Sequence, residues 1–158
     1  MKKRRVLIAV LMTILCLAIA VPAGATPPSE VHIEGETSLW GHPNWPLSPF
    51  VASGPAVDIG LICDTGYYED VRLKFSGDSP NGWNVHLIRY FTCDDGSGEF
   101  FVNFQARVDY RKGSTWNWNV LSGTGAYEKL HGAGSGISLP LCGDNCAFDI
   151  FDGELHID

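Results

Sequence analysis

The feature that most constrains the fold is a long alternation of apolar and polar residues between Phe100 and Tyr110. A period of two is typical of a β-strand with one buried and one solvated face, whereas a helix repeats about every 3.6 residues. The predicted core face is formed by Phe100, Val102, Phe104, Ala106, Val108 and Tyr110.

The same alternation recurs from Val57 to Cys63, from Val71 to Phe75 and from Trp116 to Val120. Short segments rich in Gly, Asp, Ser and Asn separate these runs, and such short connections favour antiparallel neighbours. We therefore predict an all-β protein with a single small antiparallel β-barrel of calycin-like meander topology. A β-sandwich is the alternative, because either arrangement buries one apolar face of each strand.

Residues 1–25 have the composition of a bacterial signal peptide. A basic segment from Lys2 to Arg5 precedes an apolar run from Val6 to Val21, and small residues lead to Ala25. We predict cleavage after Ala25 and export to the periplasm, the cell-envelope exterior or the medium. An uncleaved anchor is the alternative, but a membrane-spanning helix needs about 20 apolar residues. We expect no stable membrane span after cleavage.

The segment 26–55 is rich in Pro, Gly and Ser, and proline disfavours both helix interiors and central strands. We predict an irregular N-terminal arm over residues 26–55, with a short strand at Val31–Ile33, followed by the β-barrel domain over residues 56–158. Loss of the basic segment leaves 7 basic and 18 acidic residues, a net charge of −11. Such a charge repels phosphate backbones, so nucleic acid is excluded as a partner.

Four cysteines follow the signal segment, and an even number in an exported chain indicates disulfides. Four cysteines permit three pairings. We favour Cys142–Cys146, which are joined by a turn-forming Gly-Asp-Asn sequence, and Cys63–Cys93, which lie at the ends of strand-like runs. A zinc site is the alternative, but the spacing differs from the usual C-x-x-C arrangement. We predict no metal and no cofactor.

The run from Asn84 to Phe91 has apolar residues on both faces, so either His86 or Arg89 points inward. An inward Arg89 requires a carboxylate or several acceptors, and it could also anchor a ligand. A salt bridge at the barrel rim is the simpler interpretation. The candidate ligand-binding residues are Arg89, Tyr90, Trp116, Trp118 and Tyr127.

Glycines alternate at Gly132, Gly134 and Gly136, which leaves one face of that strand without side chains. A bulky neighbour such as Trp116 or Trp118 can lie flat against such a face. We predict no catalytic residues, because the chain lacks a G-x-S-x-G nucleophile elbow and its histidines are scattered.

Three segments together resemble the allene-oxide-cyclase-like and dirigent-like β-barrels, and more narrowly a group of small secreted bacterial proteins with that barrel. They are Trp116–Gly136, Phe91–Gly98 and Asp149–Leu155, and the resemblance extends from Ile59 to Leu155. It implies a barrel that holds a hydrophobic molecule, but it transfers no catalytic residue.

We therefore rank three functions. A secreted module that binds a small hydrophobic or aromatic ligand comes first, a cell-envelope structural or interaction protein without a pocket second, and a cyclase or isomerase third. The identity of the ligand and the oligomeric state stay open.

Overall fold

The structure is a computed structural model that describes residues 25–38, 47–77, 83–109, 113–141 and 146–158. These residues form eight β-strands, one short α-helix and a 3₁₀ turn. The elements are β1 Ser29–Ser38, β2 Ser48–Ser53, α1 Pro55–Asp58, β3 Thr65–Ser76, β4 Trp83–Cys93, β5 Glu99–Asp109, β6 Gly113–Gly123, the turn Gly125–Tyr127, β7 Leu130–Pro140 and β8 Cys146–Ile157.

The strands form one closed antiparallel barrel in which every strand pairs with its neighbours in the chain. Closure is made by β1 and β8, which pair from Ser29 opposite Leu155 to Ser38 opposite Cys146. The predicted all-β barrel is thus confirmed, and the sandwich alternative is wrong because a single sheet closes on itself. Closure also removes the two free sheet edges that an open meander would expose.

An up-and-down barrel has two different ends. At one end, which we call the helix end, β2 connects to β3 through α1, and β6 connects to β7 through the 3₁₀ turn. At the other end, which we call the hairpin end, β1, β3, β5 and β7 finish. The Cys63–Cys93 disulfide, with an S–S distance of 2.01 Å, lies at the helix end and confirms that predicted pair.

Side chains from the predicted core face of β5 fill the barrel. Phe100, Val102 and Phe104 are each at most 3% exposed, and Ala106 packs partly buried against them. Tyr110, expected on the same face, lies outside the described residues. The period-two alternation of β5 and of Trp116, Trp118 and Val120 on β6 therefore identified buried faces correctly.

The structure also has the predicted strand face without side chains, on β7. Trp118 lies against Gly134 of β7 and Gly153 of β8, and Trp116 lies against Gly136. A Cβ atom on Gly134 would come within 2.7 Å of Trp118 Cε2 and would also collide with the neighbouring backbone. Glycine is therefore required here for close approach, not for an unusual backbone angle.

Two expectations for the N-terminal part are wrong. Residues 26–55 are not an irregular arm, because they contribute β1, which includes the predicted strand Val31–Ile33, and β2 to the barrel wall. The apolar run Val57–Cys63 is not a strand. Pro55 instead begins α1, a position that suits its fixed φ angle. Leu61, Ile62 and Cys63 are buried consecutively, which no strand with one solvated face permits.

The distal half of β3 departs from the predicted pattern as well. A register shift between Asp70 and Arg72 interrupts its pairing with β4. Val71 and Leu73, expected in the core, are 50% and 49% exposed. Pairing of β2 with β3 covers only Thr65 to Tyr68, so the described β2 leaves the rest of β3 uncovered.

A search of the described ranges for a helix long and apolar enough to cross a membrane finds none.

We expect Gly134→Ala to lower the free energy of unfolding by about 2 kcal/mol, because overpacking displaces the Trp118 indole and the adjacent strand. Ser135→Ala is the matched control on the exposed face of β7, and it should change that free energy by less than about 0.5 kcal/mol. Urea unfolding monitored by circular dichroism measures both. Equal stability of the two variants would contradict the close packing.

Candidate functional site

Among the described residues, the cation buried inside the barrel is Arg89 of β4. Inward residues of β4 alternate as Val85, Leu87, Arg89, Phe91 and Cys93, so strand periodicity alone directs Arg89 into the barrel. Arg89 is 3% exposed. Its Cζ atom lies 4.2 Å from the centroid of the Tyr68 ring and 5.4 Å from that of Phe104, so aromatic faces surround the guanidinium.

Two carboxylates neutralise this cation. Arg89 Nε donates to Asp70 Oδ1 at 2.7 Å, and Asp70 lies directly opposite Arg89 in the β3–β4 register. Arg89 Nη1 donates to Asp149 Oδ2 of β8 at 2.8 Å. The Asp149 side chain is only 5% exposed, whereas that of Asp70 is 32% exposed. The ion pairs therefore connect β3 and β4 to the far side of the barrel.

Hydroxyl groups complete the network around Asp149. Thr37 of β1 donates to Asp149 Oδ2, and Ser138 of β7 donates to Asp149 Oδ1. The Thr37 hydroxyl has one proton, so in the 2.8 Å bond between Thr37 and Tyr68 the Tyr68 hydroxyl is the donor. Every polar side chain in this cluster has a partner, which a buried polar network requires for stability.

The titration properties of the network favour a structural role over proton transfer. Burial raises the pKa of the Tyr68 hydroxyl well above its usual value. Burial disfavours the charged form of Arg89, but the nearby Asp70 and Asp149 carboxylates outweigh this and raise the Arg89 pKa. Both shifts move the groups further from neutral pH, so Tyr68 stays a neutral donor and Arg89 stays a cation.

The structure brings together only part of the predicted ligand-binding set. Arg89, Trp116 and Trp118 lie inside the barrel. Tyr90 is on the outer face, where its ring contacts Phe101 at 4.8 Å between centroids.

Tyr127 is 2% exposed but lies at the helix end. Its hydroxyl accepts a hydrogen bond from the Cys63 backbone N–H at 3.1 Å and lies 3.2 Å from Cys93 Sγ. This contact ties Tyr127 to the disulfide, away from the Arg89 cluster. Cys146 is disulfide-bonded as well, and its expected partner Cys142 lies outside the described residues.

The indole N–H groups of the two tryptophans on β6 differ in their hydrogen bonding. Trp118 Nε1 donates to the Ser135 carbonyl oxygen at 3.2 Å. Trp116 is 8% exposed, and its Nε1 atom has no hydrogen-bond partner in the part of the chain that the structure describes. An unpaired buried N–H costs about 1 to 3 kcal/mol, so this donor is energetically unfavourable as it stands.

Trp116 lies near the hairpin end among incompletely buried apolar residues. Ala106 is directly opposite Trp116 in the β5–β6 register, and Leu87 of β4 also packs only partly buried against the core. Leu73 faces Leu87 in the β3–β4 register and is 49% exposed. These side chains form an incompletely buried apolar layer near the hairpin end. We refer to Leu73, Leu87, Ala106 and Trp116 as the hairpin-end layer.

Sequence reasoning missed most of the network, namely Thr37, Tyr68, Asp70, Ser138 and Asp149. Asp149 was detectable in principle, since it occupies an inward position between Ala147 and Phe151. The described residues contain no group of three or more His, Cys, Asp or Glu side chains suited to a metal ion.

Neither a protein-family model nor a curated protein matches this chain.

We expect Arg89→Met to lower the free energy of unfolding by about 3 to 5 kcal/mol, because it leaves the Asp149 carboxylate buried without its cation. Arg107→Met removes an exposed cation from the neighbouring strand and should cost less than about 0.5 kcal/mol. Urea unfolding at neutral pH compares the two. Similar stability of both variants would show that the buried ion pairs contribute little.

Proposed function

We propose that this protein is exported and binds a small, uncharged, hydrophobic or aromatic molecule at the hairpin end of its barrel. The single observation that carries the proposal is the buried and unpaired Trp116 Nε1–H. A ligand with a carbonyl or ether oxygen would satisfy this donor once the indole turns away from Gly136, against which Nε1 lies. Ligand sites commonly combine an apolar lining with a few fixed polar groups, and the mouth of a β-barrel is a frequent place for them.

The surrounding residues support the apolar character of the ligand. Leu87 and Ala106 are inward-facing but incompletely buried, and Leu73 is about half exposed. Covering them would remove apolar surface from water at roughly 25 cal/mol per Å². A flat aromatic ligand could also pack against the Trp116 indole, which already contacts the Phe151 ring at 5.5 Å between centroids.

The charge of the interior supports an uncharged ligand. Arg89 is fully engaged by Asp70 and Asp149, so the cluster contains one cation and two carboxylates. An anionic ligand would therefore meet net negative charge and find no free guanidinium. In this proposal Arg89 does not contact the ligand. It lies deeper in the barrel, where its ion pairs stabilise the strands that form the site.

Export and family membership belong to the same proposal. The basic and apolar N-terminal segment supports export, and the Cys63–Cys93 disulfide is compatible with an oxidising compartment. The closed eight-strand barrel is compatible with kinship to the secreted bacterial allene-oxide-cyclase-like and dirigent-like proteins. Fold alone is a weak warrant for activity, so that kinship carries no reaction.

A cell-envelope interaction protein is the second candidate. It is supported by Val71 and Leu121, which are 50% and 51% exposed on neighbouring parts of the outer wall. With Ile88 and Phe101 they line a shallow depression of about 370 Å³. The third candidate, a cyclase or isomerase, gains no support from Tyr68 or Arg89, whose pKa values are shifted away from neutrality.

The ligand proposal is tested with Prodan, a neutral fluorescent naphthyl ketone, and with 2-(dimethylamino)naphthalene, which lacks the carbonyl acceptor. We expect saturable Prodan binding that Trp116→Phe weakens about fivefold, the effect of one neutral hydrogen bond. Trp118→Phe removes a donor that already has a partner and should leave Prodan affinity unchanged. The carbonyl-free probe should bind the wild type and Trp116→Phe equally.

Absence of saturable Prodan binding, or equal Prodan affinity of the wild type and Trp116→Phe, would overturn the ligand site.

Export is tested by expressing the full chain in a bacterial host and sequencing the N-terminus of the protein recovered from the periplasm or medium. We expect the mature chain to begin at Thr26, because small residues immediately precede it. Recovery of the chain from the cytoplasm with its basic N-terminus intact would contradict export.

A further inference from the structure

The surface charge of the barrel is divided between opposite walls. The outer face of β1 and β8 has the acidic residues Glu30, Glu34, Glu36, Asp152 and Glu154. His32 is held between two of them, with Nδ1 2.6 Å from Asp152 Oδ1 and Nε2 3.0 Å from Glu34 Oε1. In a closed ring of eight strands, β4 and β5 lie opposite this acidic wall.

The opposite wall has exposed cations as well as the acidic residues Glu69, Glu99 and Asp109. Only 7 basic residues follow residue 25, and among them Arg72, Lys74 and Arg107 lie on β3 and β5. Within the described part of the chain, none of these three side chains forms an ion pair.

A polar groove of about 630 Å³ crosses this wall from β3 to β7. Five strands at the usual spacing of about 4.8 Å make it roughly 19 Å long. No Asp or Glu of the described residues lines it. Its outward side chains include Asn84, His86, Gln105, Arg107, Thr115 and Asn117.

The strand register aligns these side chains into a continuous surface. Arg107 lies between Asn84 on β4 and Thr115 on β6, while Gln105 lies between His86 and Asn117. Lys74 is directly opposite His86 on β3, at the margin of the groove. Amides and hydroxyls therefore flank the cations along two adjacent rows of the sheet.

We infer that this outer groove is a second binding site, and that its ligand is an acidic oligosaccharide. Amide and hydroxyl side chains both donate and accept hydrogen bonds, as the hydroxyl groups of a sugar require. The Arg107 guanidinium provides the planar fork that pairs with a sugar carboxylate. The length of the groove suits several linked sugar units, and its lack of carboxylates admits an anionic chain that the acidic wall would repel.

The groove lies on the outer face of the wall, and the stretch of β6 that it crosses includes Trp116. Arg107 and the other groove side chains point outward, whereas Trp116 points into the barrel. The two sites can therefore be tested by separate variants.

The test uses the mature chain and a defined oligogalacturonate, with binding measured by isothermal titration calorimetry. Two comparison ligands of similar length are a neutral malto-oligosaccharide and oligoglutamate, which has the negative charge without the sugar. We expect saturable binding of oligogalacturonate alone, weakened by added salt because exposed charge pairs are screened.

The variant Arg107→Gln should reduce the affinity for oligogalacturonate about tenfold, the effect of one charge-assisted contact. Lys129→Gln is the matched control, because it makes the same change in net charge on a turn at the helix end and should change affinity less than twofold.

The inference is overturned by any of four results: no saturable binding of oligogalacturonate, equal binding of oligoglutamate, equal binding of the neutral sugar, or full affinity in Arg107→Gln. None of these results bears on the interior site, which Prodan binding tests separately.

Discussion

The rest of this barrel depends on how one buried guanidinium is neutralised. Arg89 enters a core of aromatic rings, where an unpaired cation would cost several kcal/mol. Asp70 and Asp149 approach it from different strands, and hydroxyls from Thr37 and Ser138 hold Asp149 in place. The cluster therefore links β1, β3, β4, β7 and β8 through groups that must all be present together. Such a polar network specifies one arrangement of strands where apolar packing alone would tolerate several.

Aromatic packing and glycine placement complete the same interior. Phe91 stacks on Phe100 at 4.8 Å between centroids, while Trp116 and Trp118 lie flat over the bare glycine face of β7. These rings fill the space below the hairpin-end layer. One consequence is that the remaining accessible apolar surface of the interior, together with the unpaired Trp116 N–H, lies towards the hairpin end. The packing of the core therefore also determines where the candidate ligand site lies.

The parts of the fold that were predictable from sequence are those governed by local periodicity. Alternation identified the buried faces of β5 and β6, and the glycine spacing of β7 indicated the indole contacts. Strand β2 and most of β1, apart from the predicted Val31–Ile33, were missed because their Pro and Gly content is a local signal, whereas their pairing with β3 and β8 is non-local.

The network was missed for the same reason. Sequence reasoning recognised that an inward Arg89 needs a carboxylate, but Asp149 is 60 residues away and only barrel closure brings it near. The outer groove also depends on register, since it draws at most three residues from each of five strands. Residues that lie so far apart in the chain form no recognisable motif in a single sequence.

A double-mutant cycle between Arg89 and Asp149 tests the central role of the buried ion pairs most directly. The free energy of unfolding is measured for Arg89→Met, Asp149→Leu, the double variant and the wild type. We predict a coupling energy of at least about 2 kcal/mol, with the double variant more stable than the sum of the two single losses implies. Strictly additive losses would contradict the account, because they would mean that the two groups do not stabilise each other.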